Sequence, residues 1–454
     1  MHSTLAGLRA DLPPMAKLAT PVVVAELGWI AMGVVDIAMV GRLGPEAIGA
    51  VGIGSVLFFA VAVFGIGVLL GLDTLVSQAY GARRLEECHR WLFHGGGLSV
   101  LLAVPLTGVT AVVIGTLDRW SLDPAVEQLA VPYLSIILWS ILPLLLYTAF
   151  RRYLQAMGLV SPVMLALVSA NLINIAANWL LVFGNLGAPR LGVDGAAWAT
   201  CVSRVYLALF LLFAILRHDR HQRTGLWQAP RRLDLDRLRR LTVLGLPAAV
   251  QVTLEVGVFA VATALAGRLA PATLAAHQIV LSVAGVTFMV PLGVGAAGAV
   301  RVGHAVGRRD PSGASDAGWA ALVLGTGFMV CSGLVFVLAP RPILRLFTAE
   351  PTVVSIGVPL LFVAALFQLF DGLQGVATGV LRGLGDTRTP MLWNLAGHWA
   401  LGLPMGYLLC FEQGWGALGL WVGLCIGLVV VGTVLVFIWF RRTAEWSPDA
   451  RERA

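Results

Sequence analysis

Apolar stretches of bilayer-spanning length recur twelve times along this chain, near residues 18–41, 46–72, 91–115, 126–150, 161–184, 192–216, 241–268, 273–300, 316–340, 352–378, 390–411 and 416–440. About 20 apolar residues wound as a helix cross the hydrocarbon core of a membrane. No water reaches that layer, so every backbone N–H and C=O must pair within its own segment, and the spans must be α-helical. Composition closes the soluble alternative. Hydrophobic residues make up 58% of the chain without counting its 52 glycines, and charged residues only 12%. Soluble domains run at roughly 45–50% apolar, glycine included, and about 25% charged. These proportions exclude a soluble globular enzyme, a disordered chain and a disulfide scaffold. The five cysteines are scattered, with no CxxC pair, and are expected as free thiols. The expected fold is an all-α polytopic membrane protein. Its first apolar stretch is expected to be retained as a span, since no signal-peptide cleavage pattern follows it.

The charges that remain are sorted. With the N-terminus inside, 24 of the 31 basic residues fall in cytoplasmic segments. Only Arg42, Arg119, Arg190, Arg268, Arg341 and Arg345 fall outside, and Arg204 is left within a span. By the positive-inside rule both termini are cytoplasmic. Lys17 is the only lysine and has no glycine-rich turn before it, so a Walker A loop and a Schiff-base cofactor are both excluded. Uphill work must draw on an ion gradient or a separate subunit. Residues 217–240 form the one sizeable hydrophilic segment and read as a solvated linker near anionic lipid. The net charge of +7 then reports orientation and lipid surface, with no nucleic acid partner expected.

The chain repeats about that linker. Residues 21–83 laid on 247–309 without gaps share 16 identities in 63 positions, among them Pro21 with Pro247, Gly41-Arg42-Leu43 with Gly267-Arg268-Leu269, and Arg83 with Arg309. Six spans per half make this a parallel repeat, so the halves are related by a pseudo-two-fold along the membrane normal. The expected domains are an N-terminal lobe at 1–216, a linker at 217–240 and a C-terminal lobe at 241–454. Such chains are typically secondary transporters with a substrate path between lobes.

Ionisable groups within the bilayer cost at least a few kcal/mol and are functional suspects. Glu26, Asp36, Glu255 and Asp371 lie well inside spans, and Asp73 near the inner end of span 2. At 1.5 Å per residue, Asp36 and Asn178 stand about 26 Å above the inner ends of their spans and Asn174 about 20 Å. Thr200 is a short way below the outer end of span 6, so the four share one layer. A carboxylate, two amide oxygens and a hydroxyl suit a hard cation or a proton. The same four also suit a polar tie between helices. Glu255 and Asp371 have no basic residue in their spans, so they are protonated, face water or bind a cation. Gln251, Gln278, Gln368 and Gln374 offer further oxygens. Phe259, Phe288, Phe367 and Phe370 form an aromatic wall for an organic cation or simply pack. Glu26 either lines an inner vestibule or snorkels to the headgroups. His94, His277 and His398 lack metal-ligand spacing and read as packing groups.

These motifs together resemble the MATE (multidrug and toxic compound extrusion) transporters, in particular their NorM-like bacterial branch. The resemblance spans essentially the whole chain. It rests on MGVVDIAMVGRLG, TLVSQAYGA, QAMGLVSPVM, NLINIAAN and GAAWAT in the first half, and on TLEVGVF, LAAHQIVLSV and LFDGLQGVATGVLRGLGDTRTP in the second. It implies two six-helix lobes and export of cationic amphipathic drugs against Na⁺ or H⁺, with no cofactor. It also implies a monomer in the bacterial cytoplasmic (inner) membrane. By position, Asp36, Asn174, Asn178 and Thr200 resemble a cation site. Glu255 and Asp371 resemble an acidic pair for coupling ion and drug. Gln278, Phe288 and Phe367 resemble drug-cavity positions. Na⁺ is implied at Asp36, Asn174 and Asn178, or at Glu255 and Asp371. Some relatives carry a second carboxylate at the Asn178 position and tyrosines at those of Phe288 and Phe367. Two rival readings remain. A flippase of lipid-linked saccharides would want a cationic cavity, which a single intramembrane base argues against. An intramembrane enzyme would want a His cluster, a GxGD pair or a Ser/His dyad, none of which is evident.

Overall fold

A computed structural model describes residues 5–120 and 122–444. The chain termini of the topology reading, with Arg451 and Arg453, lie outside the described residues. Among the described residues there are helices and no strands. The helices are α1 (Leu5–Val40), α2 (Pro45–Leu69), α3 (Gly71–Gly81), α4 (Leu85–Ile114), α5 (Pro124–Ile137), α6 (Ile141–Ala156), α7 (Ser161–Phe183) and α8 (Val193–Gln222). The second half gives α9 (Leu235–Ala266), α10 (Pro271–Gly307), α11 (Pro311–Leu338), the short α12 (Pro340–Arg345), α13 (Pro351–Leu384), α14 (Arg388–Asn394), α15 (Leu403–Tyr407) and α16 (Ala417–Ala444).

Eleven of the described helices, counting α2–α3 and α5–α6 as continuous, are long and apolar enough to cross a membrane. The twelfth predicted span is helical from 388 to 412 but changes pitch, with π-helical stretches at Leu395–Gly402 and Leu408–Glu412 around α15. Its glycines explain the change. Gly397, Gly402 and Gly406 lie against Gly427, Gly423 and Leu420 of α16. Gly419, Gly423 and Gly427 of α16 recur every four residues, whereas Gly397 and Gly402 are five apart. A π turn closes i→i+5 and keeps residues five apart on one face. A Cβ on Gly423 would lie 2.7 Å from the Gly402 carbonyl oxygen, and one on Gly427 would lie 3.2 Å from the Gly402 Cα. Small residues let membrane helices meet this closely. Gly423→Val is therefore expected to cost about 1–3 kcal/mol from overpacking, at the upper end because the obstruction is backbone. Thermal unfolding in detergent checks it, and an unchanged midpoint would sink this account of the seam.

The repeat is visible in the backbone. The helical run Pro45–Gly81 and α10 are both 37 residues long. Each ends with an arginine in the left-handed region, Arg83 at φ 58° and Arg309 at φ 59°. The following amide returns to the helix in the same way, Arg84 N to Ala79 O and Asp310 N to Ala305 O, both about a turn and a half back.

Two compact units group the contacts. One is Val24–Ala249, and the other joins the stretch up to Val23 with the stretch from Val250 onward. This differs from a linear division at residues 216 and 241 in two places. The first part of α1 packs with the second half of the chain, where Gly293 meets Val23 and Arg301 pairs with Asp11. The first part of α9 packs with the first half, where Gly71 meets Leu241. The divisions fall just past the matched prolines Pro21 and Pro247, each inside a helix.

The 217–240 segment is less of a free linker than its charge suggested. Helices α8 and α9 take up both its ends, leaving 223–234 irregular. That part is held on α4. His89 Nε2 bonds Thr224 O at 3.0 Å, the Asp234 amide donates to His94 Nε2 at 2.9 Å, and Arg237 clasps Glu87 at 2.7 and 3.1 Å. A bidentate arginine–carboxylate pair fixes geometry as well as charge.

Candidate functional site

Asp36 sits on α1 in the Val24–Ala249 unit and is 6% exposed. Asn174 and Asn178, one turn apart on α7 and fully buried, both donate through Nδ2 to Asp36 Oδ1, at 3.0 and 2.8 Å. Thr200 of α8 donates to Oδ2 at 2.7 Å. Local sequence sets this meeting. Ser161-Pro162 starts α7, because proline at the first turn needs no amide partner. Gly184 at φ 73° ends it. Gly192 at φ 58° turns the chain into α8. Gly195 then lets α8 close on α7, since a Cβ there would stand 2.6 Å from the Leu181 carbonyl oxygen. That approach places Thr200 beside the asparagine face.

Three donors converge on one buried carboxylate, whose two oxygens accept from all of them. The Asn178 Oδ1 oxygen is buried and has no hydrogen-bond partner. Asparagine carries a donor and an acceptor on one flat amide, so half a rotation presents oxygen in place of N–H. The same four side chains can therefore face an empty carboxylate with N–H groups or surround a cation with oxygen. The residues present fit a hard monovalent cation in their donor set.

One turn beyond Thr200 on α8 stands Arg204, 8% exposed. It donates to Ser140 Oγ at 2.6 Å and its guanidinium lies 4.3 Å from the centre of the Phe58 ring.

In the other unit, Asp371 of α13 is buried and Glu255 of α9 half-buried. Neither has a hydrogen-bonding or ion-pair partner among the described residues, and the Glu255 charge acts on Asp371. Polar side chains line the same helix. Gln368 accepts from Thr287 at 3.0 Å and Ser332 at 3.2 Å, and its Nε2 is left unpartnered. Gln374 donates to Asn394 and meets His398, both at 3.2 Å. Gln278 is exposed and Phe288 half-buried, close to Gly375. Phe367 is 1% exposed, edge-on to Trp421 at 5.2 Å and to Phe259 at 6.0 Å, so it is a core residue here. The histidines are bonded within the packing, His277 to Thr263 at 3.0 Å and to Trp421 at 3.1 Å.

Two buried bases were missed by the sequence reading, which ended span 4 at 150 and assigned Arg151 and Arg152 to a cytoplasmic loop. Helix α6 continues to Ala156 and buries both. Arg151 pairs with Glu26, and Arg152 lies 3.5 Å from Asp73. Glu26 thus neither snorkels nor lines a vestibule; it is consumed by an arginine. Trp29 and Tyr147 stack alongside, with centroids 6.2 Å apart. Spacing held the one available signal: Tyr147, Arg151 and Gln155 recur every four residues and continue a buried helical face past the hydropathy edge.

Residues 21–180 and 247–408 match the MatE family model, once in each half of the repeat. Curated relatives include the "Probable multidrug resistance protein NorM" of Mesorhizobium japonicum, 36% identical over 97% of this chain and 96% of that one. The "Multidrug resistance protein NorM" of Burkholderia vietnamiensis is 37% identical over 98% of both. Among solved structures, the eukaryotic MATE transporter AtDTX14 matches with a TM-score of 0.86 at 25% identity, covering 98% of this chain and 99% of that one. An outward-facing multidrug resistance MATE family transporter matches with a TM-score of 0.87 at 20% identity, covering 98% of both.

Proposed function

The chain belongs to the MatE family, and from that premise we propose that it is a multidrug exporter of amphipathic organic cations driven by inward flow of Na⁺ or H⁺. It is a transporter and not an enzyme. The observation that carries the cationic substrate is the Glu255–Asp371 pair: two carboxylates, one buried and one half-buried, that act on each other with no base paired to either. Charge of this kind in a low-dielectric site must be met by a proton, an ion or a cationic ligand.

The cycle is competition between cations. Loaded with Na⁺ or H⁺, Asp36 or the Glu255/Asp371 pair favours the inward-facing state, where the ion leaves. The freed carboxylates take an organic cation from the cytoplasm or the inner leaflet. After reorientation, external Na⁺ or H⁺ neutralises the same carboxylates and displaces the drug. Each step needs a difference in affinity between the two states. The membrane is the bacterial inner membrane, with both termini cytoplasmic by the positive-inside count. Against the lipid-linked saccharide reading, the described buried bases are engaged. Arg151 is matched by Glu26, Arg152 by Asp73, and Arg204 is a single base held by Ser140 and the Phe58 ring, so no cluster of free bases is left among them for a pyrophosphate.

The test is efflux of a fluorescent organic cation from proteoliposomes, first varying Na⁺ at fixed pH and then pH without Na⁺. Asp371→Asn is expected to lower efflux of a divalent organic cation at least tenfold and to spare a monovalent one by comparison. Efflux that no cation gradient drives, or that survives Asp36→Asn and Asp371→Asn together, would overturn the reading.

A further inference from the structure

Arg204 is the buried base that the coupling scheme does not use. Its neighbours are unusual for an intramembrane arginine. No carboxylate lies within ion-pair distance of it among the described residues, and its Nε has no partner. What holds it is one hydroxyl, from Ser140, and the face of Phe58. Both are uncharged, and the carboxylate whose field reaches it stands further away. That carboxylate is Asp36. Thr200 and Arg204 are four residues apart on α8 and share a face, and Thr200 is bonded to Asp36. The Arg204 charge acts on Asp36 across this single turn. The other titratable groups whose charge reaches Arg204 are Tyr133 of α5 and Cys201 of α8. Around Asp36 the remaining polar neighbours are the amides of α7, the Thr200 hydroxyl and, further off, Tyr133 of α5, whose hydroxyl is bonded to Ser55.

We propose that Arg204 is the resident counter-charge of the Asp36 site, opposing any cation bound there and so setting how loosely the coupling cation is held. The proposal rests on the reading of Asp36 as a coupling-cation site. Charge balance gives the reason. The empty cluster, Asp36 with Arg204, sums to zero, so an unloaded state is tolerable in a low-dielectric interior. Adding a cation makes the cluster +1, and Arg204 repels the newcomer. The Glu255–Asp371 pair has no such base among the described residues, so its charge must be met by a proton, an ion or a cationic ligand. One unit therefore holds a cation site built to release, and the other a site that must be occupied. The repeat marks the asymmetry: the shift of 226 residues that lays Pro21 on Pro247 puts Ala262 at the position of Asp36.

The test uses full-length protein in proteoliposomes, reading the half-saturating concentration of whichever cation, Na⁺ or H⁺, drives efflux of a fluorescent organic cation. Arg204→Gln is expected to lower that concentration by about tenfold and to lower maximal turnover, because the ion binds more tightly and leaves more slowly. Arg204→Met does the same with an apolar side chain. Arg204→Lys, which keeps the charge, restores half-saturation to within about threefold of the parent. Ser140→Ala removes the hydrogen bond without touching the charge and shifts half-saturation less than Arg204→Gln does. An unchanged half-saturation in Arg204→Gln and Arg204→Met, with Asp36→Asn inactive, overturns the counter-charge role alone. Full efflux in Asp36→Asn overturns the coupling reading beneath it. If Gln and Met variants fail to fold while the Lys and Ser140 variants fold, Arg204 serves the fold and the proposal fails.

Discussion

Asp36→Asn is expected to reduce gradient-driven efflux by about a hundredfold or more while leaving the protein folded. The size follows from losing the one negative charge of a buried cluster, where an ion pair a few ångströms apart is worth several kcal/mol even at an effective dielectric near 20. The folding half follows from geometry. The substituted amide keeps an oxygen for Asn174 and Asn178, which meet Oδ1 at 3.0 and 2.8 Å. Its NH₂ then points at Thr200, whose hydroxyl accepts as readily as it donates. A merely structural cluster would therefore tolerate the change, and a cation site would not. The measurement is efflux with and without an imposed gradient, beside the thermal midpoint in detergent. Retained efflux would remove Asp36 from coupling. Lost efflux with lost folding would make the cluster a helix tie.

The second large effect concerns folding. Arg151→Met is expected to destabilise the protein by about 3–5 kcal/mol, because it leaves the Glu26 carboxylate buried without its cation. Glu26 and Arg151 are 8% and 6% exposed, so water cannot take over. Adding Glu26→Gln should recover most of the loss, since a neutral pair is far cheaper to bury than a lone charge. Thermal unfolding of the two single variants and the double variant checks this. A single variant as stable as the parent, or a double variant no better than Arg151→Met, would show that the pair is not coupled.

The spans were legible because their cause is local. A stretch that crosses hydrocarbon must be apolar and must satisfy its own backbone, so hydropathy alone gives its position. The exception confirms the reason. The span expected at 390–411 is helical, but its π turns answer to the glycine spacing of α16, a partner no local rule includes. The grouping of Asp36, Asn174, Asn178 and Thr200 was also legible, since rise per residue fixes depth and period fixes face. The partner of Glu26 was not. It lies 125 residues away in sequence, just past the point where hydropathy ended span 4.

The sequence by itself determined the all-helical membrane class, the repeat of the two halves and the meeting of Asp36 with Asn174, Asn178 and Thr200, because these depend on spacing along one chain in one solvent. Tertiary structure decided which acids are spent and which are left. Glu26 is neutralised by Arg151 and Asp73 lies beside Arg152, whereas Glu255 and Asp371 have no paired base among the described residues, and Asp36 has three donors, of which Thr200 stands one turn from Arg204 on α8. The physical reason is that the fate of a buried charge depends on what stands within a few ångströms of it, and helix packing alone sets that distance.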